Sequence, residues 1–108
     1  MLKSEYKILI TGGYGRIGSA LQSLYNTPQF VYLSSKDCNL LHYDDILHIL
    51  QTVKPTHVIH LAAIINESAN AFMDNILMNM NILKSCHAEN IEYVVCCLSA
   101  HIFRKKTI

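Results

Sequence analysis

Three glycines, Gly12, Gly15 and Gly18, follow the short apolar run Ile8-Leu9-Ile10, with Thr11 just before the first of them. Glycines at this spacing suit one ligand class. Where a strand runs into a glycine turn and then a helix, bare backbone N–H groups and the helix N-terminus are set to meet an anion, and a pyrophosphate is the group that fits. Gly12 lets the chain turn tightly, Gly15 leaves no side chain between backbone and phosphate, and Gly18 lets the helix lie close on the sheet. Three glycines alone occur in many packing turns, but here the strand before and the helix after are both present. Arg16 and Ile17 stand inside the loop, where Arg16 adds a positive charge.

A second polar group, Ser34-Ser35-Lys36-Asp37, follows the next apolar run, Phe30-Val31-Tyr32-Leu33. In a dinucleotide site this position meets the ribose beside adenine. An acid there favours NAD through the 2′-hydroxyl, and a cation accommodates the 2′-phosphate of NADP. Two hydroxyls and an ammonium favour NADP; the competing reading leaves Lys36 solvated and gives the ribose to Asp37. Cys38, Cys86, Cys96 and Cys97 have no Cys-x-x-Cys spacing, so they read as buried reduced thiols, the last two on opposite faces of a strand. His57 and His60 lie on or beside a buried strand, where His60 reads as a packed, hydrogen-bonded side chain. No metal site is expected.

The elements that must position these groups alternate along the chain. Residues 6–11 read as a strand, and about 15–26 as a helix with Ile17, Leu21 and Leu24 on one face. Pro28 closes that connection, and 30–33 is the second strand. Asp44 and Asp45 sit in the first turn of a helix carrying Ile46, Leu50 and Val53, a favourable place for negative charge, and Pro55 stops it. A third strand, 58–62, a helix over 72–88 with Ile76, Met80 and Leu83 at helical spacing, and a last strand, 93–98, complete the pattern. Met73, Met78 and Met80 read as core or groove-filling residues. Strands alternating with helices imply right-handed crossovers and a parallel sheet, hence a Rossmann-type, doubly wound α/β fold of about four strands in the order 2-1-3-4. Ligands of such sheets bind beyond the carboxyl ends of the strands, where the glycine turn, Ser34–Lys36, Ala62-Ala63 and Ser99 all fall.

Bulk composition narrows the classes further. The 108 residues are 51% hydrophobic and 16% charged, in line with one small domain over 1–108. A net charge of +1 gives no electrostatic case for nucleic acid or an acidic membrane surface. No stretch approaches the roughly 20 apolar residues of a membrane span. The N-terminal Met-Leu-Lys-Ser-Glu-Tyr-Lys lacks an apolar signal core, so the expected location is the cytoplasm.

Several stretches together resemble the GDP-L-fucose synthase family of extended short-chain dehydrogenase/reductases. They are 10–18 (Ile-Thr-Gly-Gly-x-Gly-x-x-Gly), 33–37 (Leu-Ser-Ser-Lys-Asp) with Asn39-Leu40, and 54–63 (Lys-Pro-Thr-His-Val-Ile-His-Leu-Ala-Ala). Asn75, Asn79 and Asn81 fit the family's asparagine-bearing helix, and 94–103 fits the strand delivering its catalytic serine. The resemblance covers nearly the whole chain but only the first part of a full-length enzyme, truncating the fold before the substrate region. It implies that Gly12, Gly15 and Gly18 cradle a pyrophosphate; Arg16 and Ile17 of the glycine loop and Ser35 of the group after the second strand are expected in the same cofactor site, Arg16 as a second positive charge favouring NADP. Lys36 would meet the 2′-phosphate of NADP, Asn39 and Leu40 flank adenine, and Ala62 and Ala63 let the strand end approach ribose and nicotinamide. Ser99 would hydrogen-bond the keto oxygen of a GDP-4-keto-6-deoxymannose-like substrate. The family is homodimeric, which carries over the expectation of a dimer, or of pairing through the edge strand 93–98.

Departures from the family bear on activity. The family's Tyr-x-x-x-Lys, its proton donor, lies on a later helix; Tyr32 to Lys36 matches the spacing by coincidence, at the adenosine end. His101 stands where the family has an acid/base cysteine, and histidine is able to transfer protons near neutral pH; drift at an unused position is the competing reading. The segment 64–74 is shorter than the family's loop, and Arg104 replaces a proline. The chain therefore reads as the NADP-binding portion of an epimerase/reductase, inactive alone and able to take a GDP-sugar only if a further region completes it. The alternative is a non-catalytic remnant serving as a nucleotide-binding or protein-interaction module. Another NADP-linked sugar-nucleotide enzyme of the same superfamily is a third reading.

Overall fold

The computed structural model describes residues 5–64 and 68–96. Its elements follow the expected alternation: β1 Ile8–Thr11, α1 Arg16–Leu24, β2 Phe30–Tyr32, α2 Tyr43–Val53, β3 His57–His60, α3 Ala69–Ala88 and β4 Tyr93–Cys96. All strand pairs are parallel, in the order β2-β1-β3-β4. The first crossover runs one way from β1 and the next two run the other. Right-handed connection then puts α1 on one face of the sheet and α2 and α3 on the other.

The core lies under α2 and α3. Leu9, Val58, Ile46, Leu50, Met78, Ile82 and Cys86 form one buried cluster, with Val94 and Cys96 packed against it. Leu9 and Val58 are register partners, so their side chains share a face, and Val94 joins them from β4. Asp44 and Asp45 occupy the first turn of α2, and Lys54 ends it in the left-handed conformation at φ 53°. Cys38 and Cys86 are buried free thiols, which burial pushes up to about 11, so both stay protonated and unreactive. Cys97 lies outside the described residues.

Two helical faces differ from expectation. On α1, Ile17 and Leu24 are exposed at 59% and 73%, and the buried residue is Gly18. Contact with the sheet end is made there by bare backbone, not by an apolar stripe. On α3 the stripe Ile76, Met80 and Leu83 faces outward, as does Met73 at 60%. The inward face instead carries Ala71, Met78, Asn81, Ile82, Ser85 and Cys86. Polar residues suit that face because their groups are bonded: Asn81 Nδ2 donates to the Leu40 carbonyl at 3.0 Å and Ser85 Oγ to that of Ile82 at 3.0 Å. Of the three expected core methionines, only Met78 is buried.

Candidate nucleotide-binding cleft

At the carboxyl ends of the strands the glycine turn, the loop after β2 and the loop after β3 surround a cleft of about 580 Å³. Close backbone contact builds it. Gly12 adopts φ +64°, and a Cβ there would lie 2.7 Å from Ala62 N, so any other residue is both strained and obstructed. A Cβ on Gly18 would overlap the Gly12 carbonyl oxygen and come within 2.6 Å of Gly13 Cα. Gly15 differs: its Cβ would meet only Gly12 O, at 3.4 Å, and would otherwise project into open space. Gly12 and Gly18 are thus required by packing, whereas the vacancy at Gly15 is available to a ligand.

Gly15 is the N-cap of α1, with no side-chain cap. The first helical bond there is Ser19 N–H to Gly15 O at 2.8 Å. The N–H groups of Arg16, Ile17 and Gly18 therefore have no partner from an earlier helical turn, and all three residues line the cleft at a helix end of the kind that binds anions. Gly13 N–H donates to the Leu33 carbonyl at 2.9 Å, holding the loop after β2 against the glycine turn.

Thr11 ties the third wall. Its Oγ1 accepts N–H bonds from Leu61 at 3.1 Å and Ala62 at 3.2 Å, and lies 2.7 Å from His60 Nδ1. The Leu61 N–H is shared with the Thr11 carbonyl at 3.2 Å, and with both amides on Oγ1 the hydroxyl proton is directed to Nδ1, an arrangement that suits a neutral His60 protonated at Nε2. His60 is 1% exposed, and burial lowers its pKa to about 4. Among the described residues Nε2 has no hydrogen-bond partner. Asn75, on α3, fixes Ile64 at the far rim: its Oδ1 accepts the Ile64 N–H at 2.7 Å and its Nδ2 donates to the Ile64 carbonyl at 3.0 Å.

Of the residues expected at a cofactor, Gly12, Gly15, Arg16, Ile17, Gly18, Ser35, Asn39, Leu40, Ala62 and Ala63 all line this cleft. Lys36 does not; it stands exposed in the adjoining turn. Tyr14, Cys38, Ile64 and Met78 also line it and were not anticipated. Tyr14 occupies a variable position of the glycine turn, and the other three are brought in by tertiary packing that no local pattern announces. Tyr32 donates its phenol to the Tyr25 carbonyl at 2.7 Å and lies off the cleft, which agrees with reading Tyr32–Lys36 as coincidence. Ser99 and His101 lie outside the described residues. Among the described residues, no three His, Cys, Asp or Glu side chains gather as a metal site would need, and no helix is long and apolar enough to cross a membrane.

Comparison with known proteins agrees with this geometry. The probable GDP-L-fucose synthase of Drosophila melanogaster is 35% identical over 94% of this chain, and the GDP-L-fucose synthase of Dictyostelium discoideum 33% identical over 96%. The chain spans 35% and 36% of those two proteins, about a third of each. A GDP-L-fucose synthetase from Naegleria fowleri, solved bound to NADP, superposes with a TM-score of 0.80 at 34% identity, covering 91% of this chain and 32% of that one. The sequence pattern of the NAD dependent epimerase/dehydratase family matches residues 8–108. On that match, together with the parallel sheet and its glycine-lined cleft, the chain belongs to the NAD dependent epimerase/dehydratase family.

Proposed function

We propose that this chain is the NADP-binding portion of a GDP-L-fucose-synthase-like epimerase/reductase and does not turn over a keto sugar by itself. One observation carries the reading. Gly12 and Gly18 are closed by packing while Gly15 leaves a vacancy at the N-terminus of α1, where no side chain caps the helix among the described residues, a cradle suited to a pyrophosphate. A cleft of about 580 Å³ around it supports placing a dinucleotide there. Arg16 adds charge at the phosphates, Asn39 and Leu40 border the adenine end, and the small Ala62 and Ala63 leave room for ribose and nicotinamide. Ser35 reaches the adenosine ribose, with Lys36 beside it for the 2′-phosphate. NADPH, when bound, supplies the hydride. Ser99 would be the group to hydrogen-bond the substrate's keto oxygen, and His101 would stand where proton transfer is needed. Within these 108 residues no Tyr-x-x-x-Lys follows Ser99, and loss of a positioned proton donor typically costs about 10²–10⁴-fold.

We place the chain in the cytoplasm as a single dinucleotide-binding domain over 1–108. Calorimetric titration of NADPH and NADH into the chain and its Lys36→Ala variant tests the reading. NADPH preference that collapses in the variant supports it, and absence of binding by either cofactor overturns it.

A second reading, a protein-interaction module, is favoured by exposed apolar surface. Met73, Ile76, Met80 and Leu83 recur at three- and four-residue intervals along the outer face of α3, exposed at 39–60%, and Tyr93 and Val95 are exposed at 56% and 53% on the edge strand β4. Such surfaces pair readily with another chain. A homodimer through α3, or pairing along β4, is compatible with cofactor binding.

A further inference from the structure

Asp37 is the one acid in the turn after β2, the place from which a carboxylate would reach an adenosine ribose. Its carboxylate is engaged elsewhere. Asp37 Oδ2 accepts the Ser34 N–H at 2.7 Å and the Ser34 hydroxyl at 3.1 Å. The Ser34 hydroxyl in turn accepts the Lys36 N–H at 3.2 Å, and the Ser34 carbonyl accepts the Asp37 N–H at 3.1 Å. Four bonds within four residues therefore close the turn on itself. Ser34 and Ser35 line the cleft, while Lys36 and Asp37 do not.

We propose that Asp37 is a positioning residue for cofactor selection: its carboxylate clasps Ser34, which withdraws the acid from the ribose site and fixes the backbone that presents Ser35 and Lys36 to a 2′-phosphate. This rests on the cofactor reading above and adds to it. Selection by Lys36 alone would be poor if the carboxylate one residue away were free, because that carboxylate would accept a 2′-hydroxyl and repel a phosphate. Engaged with Ser34, Oδ2 is drawn away from the ribose, while the negative charge stays on the turn. The clasp needs an acceptor oxygen and not a charge, so asparagine in place of aspartate preserves it, whereas alanine does not.

The test is calorimetric titration of NADPH and NADH into the 108-residue chain and its Asp37→Ala, Asp37→Asn, Lys36→Ala and double Lys36→Ala/Asp37→Ala variants, with the Tm of each. Asp37→Ala is expected to lose about tenfold in NADPH affinity, the scale of losing bonds to an ionised acceptor, with little change for NADH. Asp37→Asn is expected to bind NADPH as tightly as the parent or more so. On the Lys36→Ala background, Asp37→Ala should add no further loss, since Asp37 acts through the residue it presents. NADPH preference intact in Asp37→Ala would overturn the inference while leaving the cofactor reading standing. Selective loss of NADH binding in both Asp37 variants would also overturn it, because the carboxylate would then hold the ribose. A parent chain that binds neither cofactor removes the cofactor reading and this inference with it.

Discussion

Thr11 and His60 face each other in register across β1 and β3, 2.7 Å apart, and with both amides donating to the Thr11 hydroxyl the contact suits a neutral histidine protonated at Nε2. The threonine hydroxyl is then saturated, holding the Leu61 and Ala62 amides against the glycine turn.

Stability should consequently depend on pH. His60 titrates near 6.5 when unfolded and at about 4 when folded, so between those values the unfolded chain holds the extra proton. The stabilisation is complete above pH 6.5 and is lost as pH falls through 4, with an upper limit of ~3 kcal/mol. Urea midpoints measured between pH 4 and 8 should rise toward neutral and then level off in this range. A His60→Asn variant should flatten the slope, and the imidazole NMR signals of His60 should titrate well below the ordinary histidine value.

The glycines should separate into two classes. Gly18→Ala meets backbone that cannot yield and should destabilise the fold by about 1–3 kcal/mol. Gly15→Ala has room, and its cost as an N-cap change is ~1 kcal/mol or less. Thermal melts paired with NADPH titration should show Gly15→Ala folded yet with weakened binding. A Gly15→Ala variant that binds like the parent would remove the pyrophosphate from this loop.

Much of this was legible in the chain. The strand order follows from strands alternating with helices through right-handed crossovers, and the glycine turn from Gly12, Gly15 and Gly18 standing between an apolar run and a helix, where backbone geometry is dictated locally. The inward face of α3 was not legible. Periodicity selects Ile76, Met80 and Leu83, but Asn81 and Ser85 point inward because distant or neighbouring carbonyls satisfy them, and pattern reading counts such residues as polar. Leu24 misleads in the same way on α1, where Gly18 makes the contact. Within the cleft, Ile64 and Met78 arrive by tertiary packing and carry no local signature.

The outer face of α3 should govern self-association without governing folding. Ile76→Glu and Met80→Glu alter side chains exposed at 39% and 54%, so stability should move by about 0.5 kcal/mol or less. Sedimentation velocity at increasing concentration should show the parent associating and the double variant remaining monomeric. A parent that is monomeric at every concentration removes this face as a self-interface.

Two neighbouring asparagines of α3 should respond differently. Asn75→Ala breaks both bonds to Ile64 and should cost about 1–2 kcal/mol, along with cofactor affinity at the rim. Asn79 donates to the Asn75 carbonyl at 2.8 Å, but among the described residues its buried Oδ1 has no partner, so Asn79→Ala should be nearly neutral. Chemical denaturation of the two variants provides the comparison.

Asn75 and Asn81 together give α3 a further consequence. One grips Ile64 on the rim after β3, and the other grips Leu40 in the loop after β2. They lie six positions apart on one continuous helix, about 9 Å along its axis. The helix acts as a ruler laid across the mouth of the cleft, holding opposite banks at a spacing set by its own rise. While both grips hold, a shift of one bank is passed through α3 to the other.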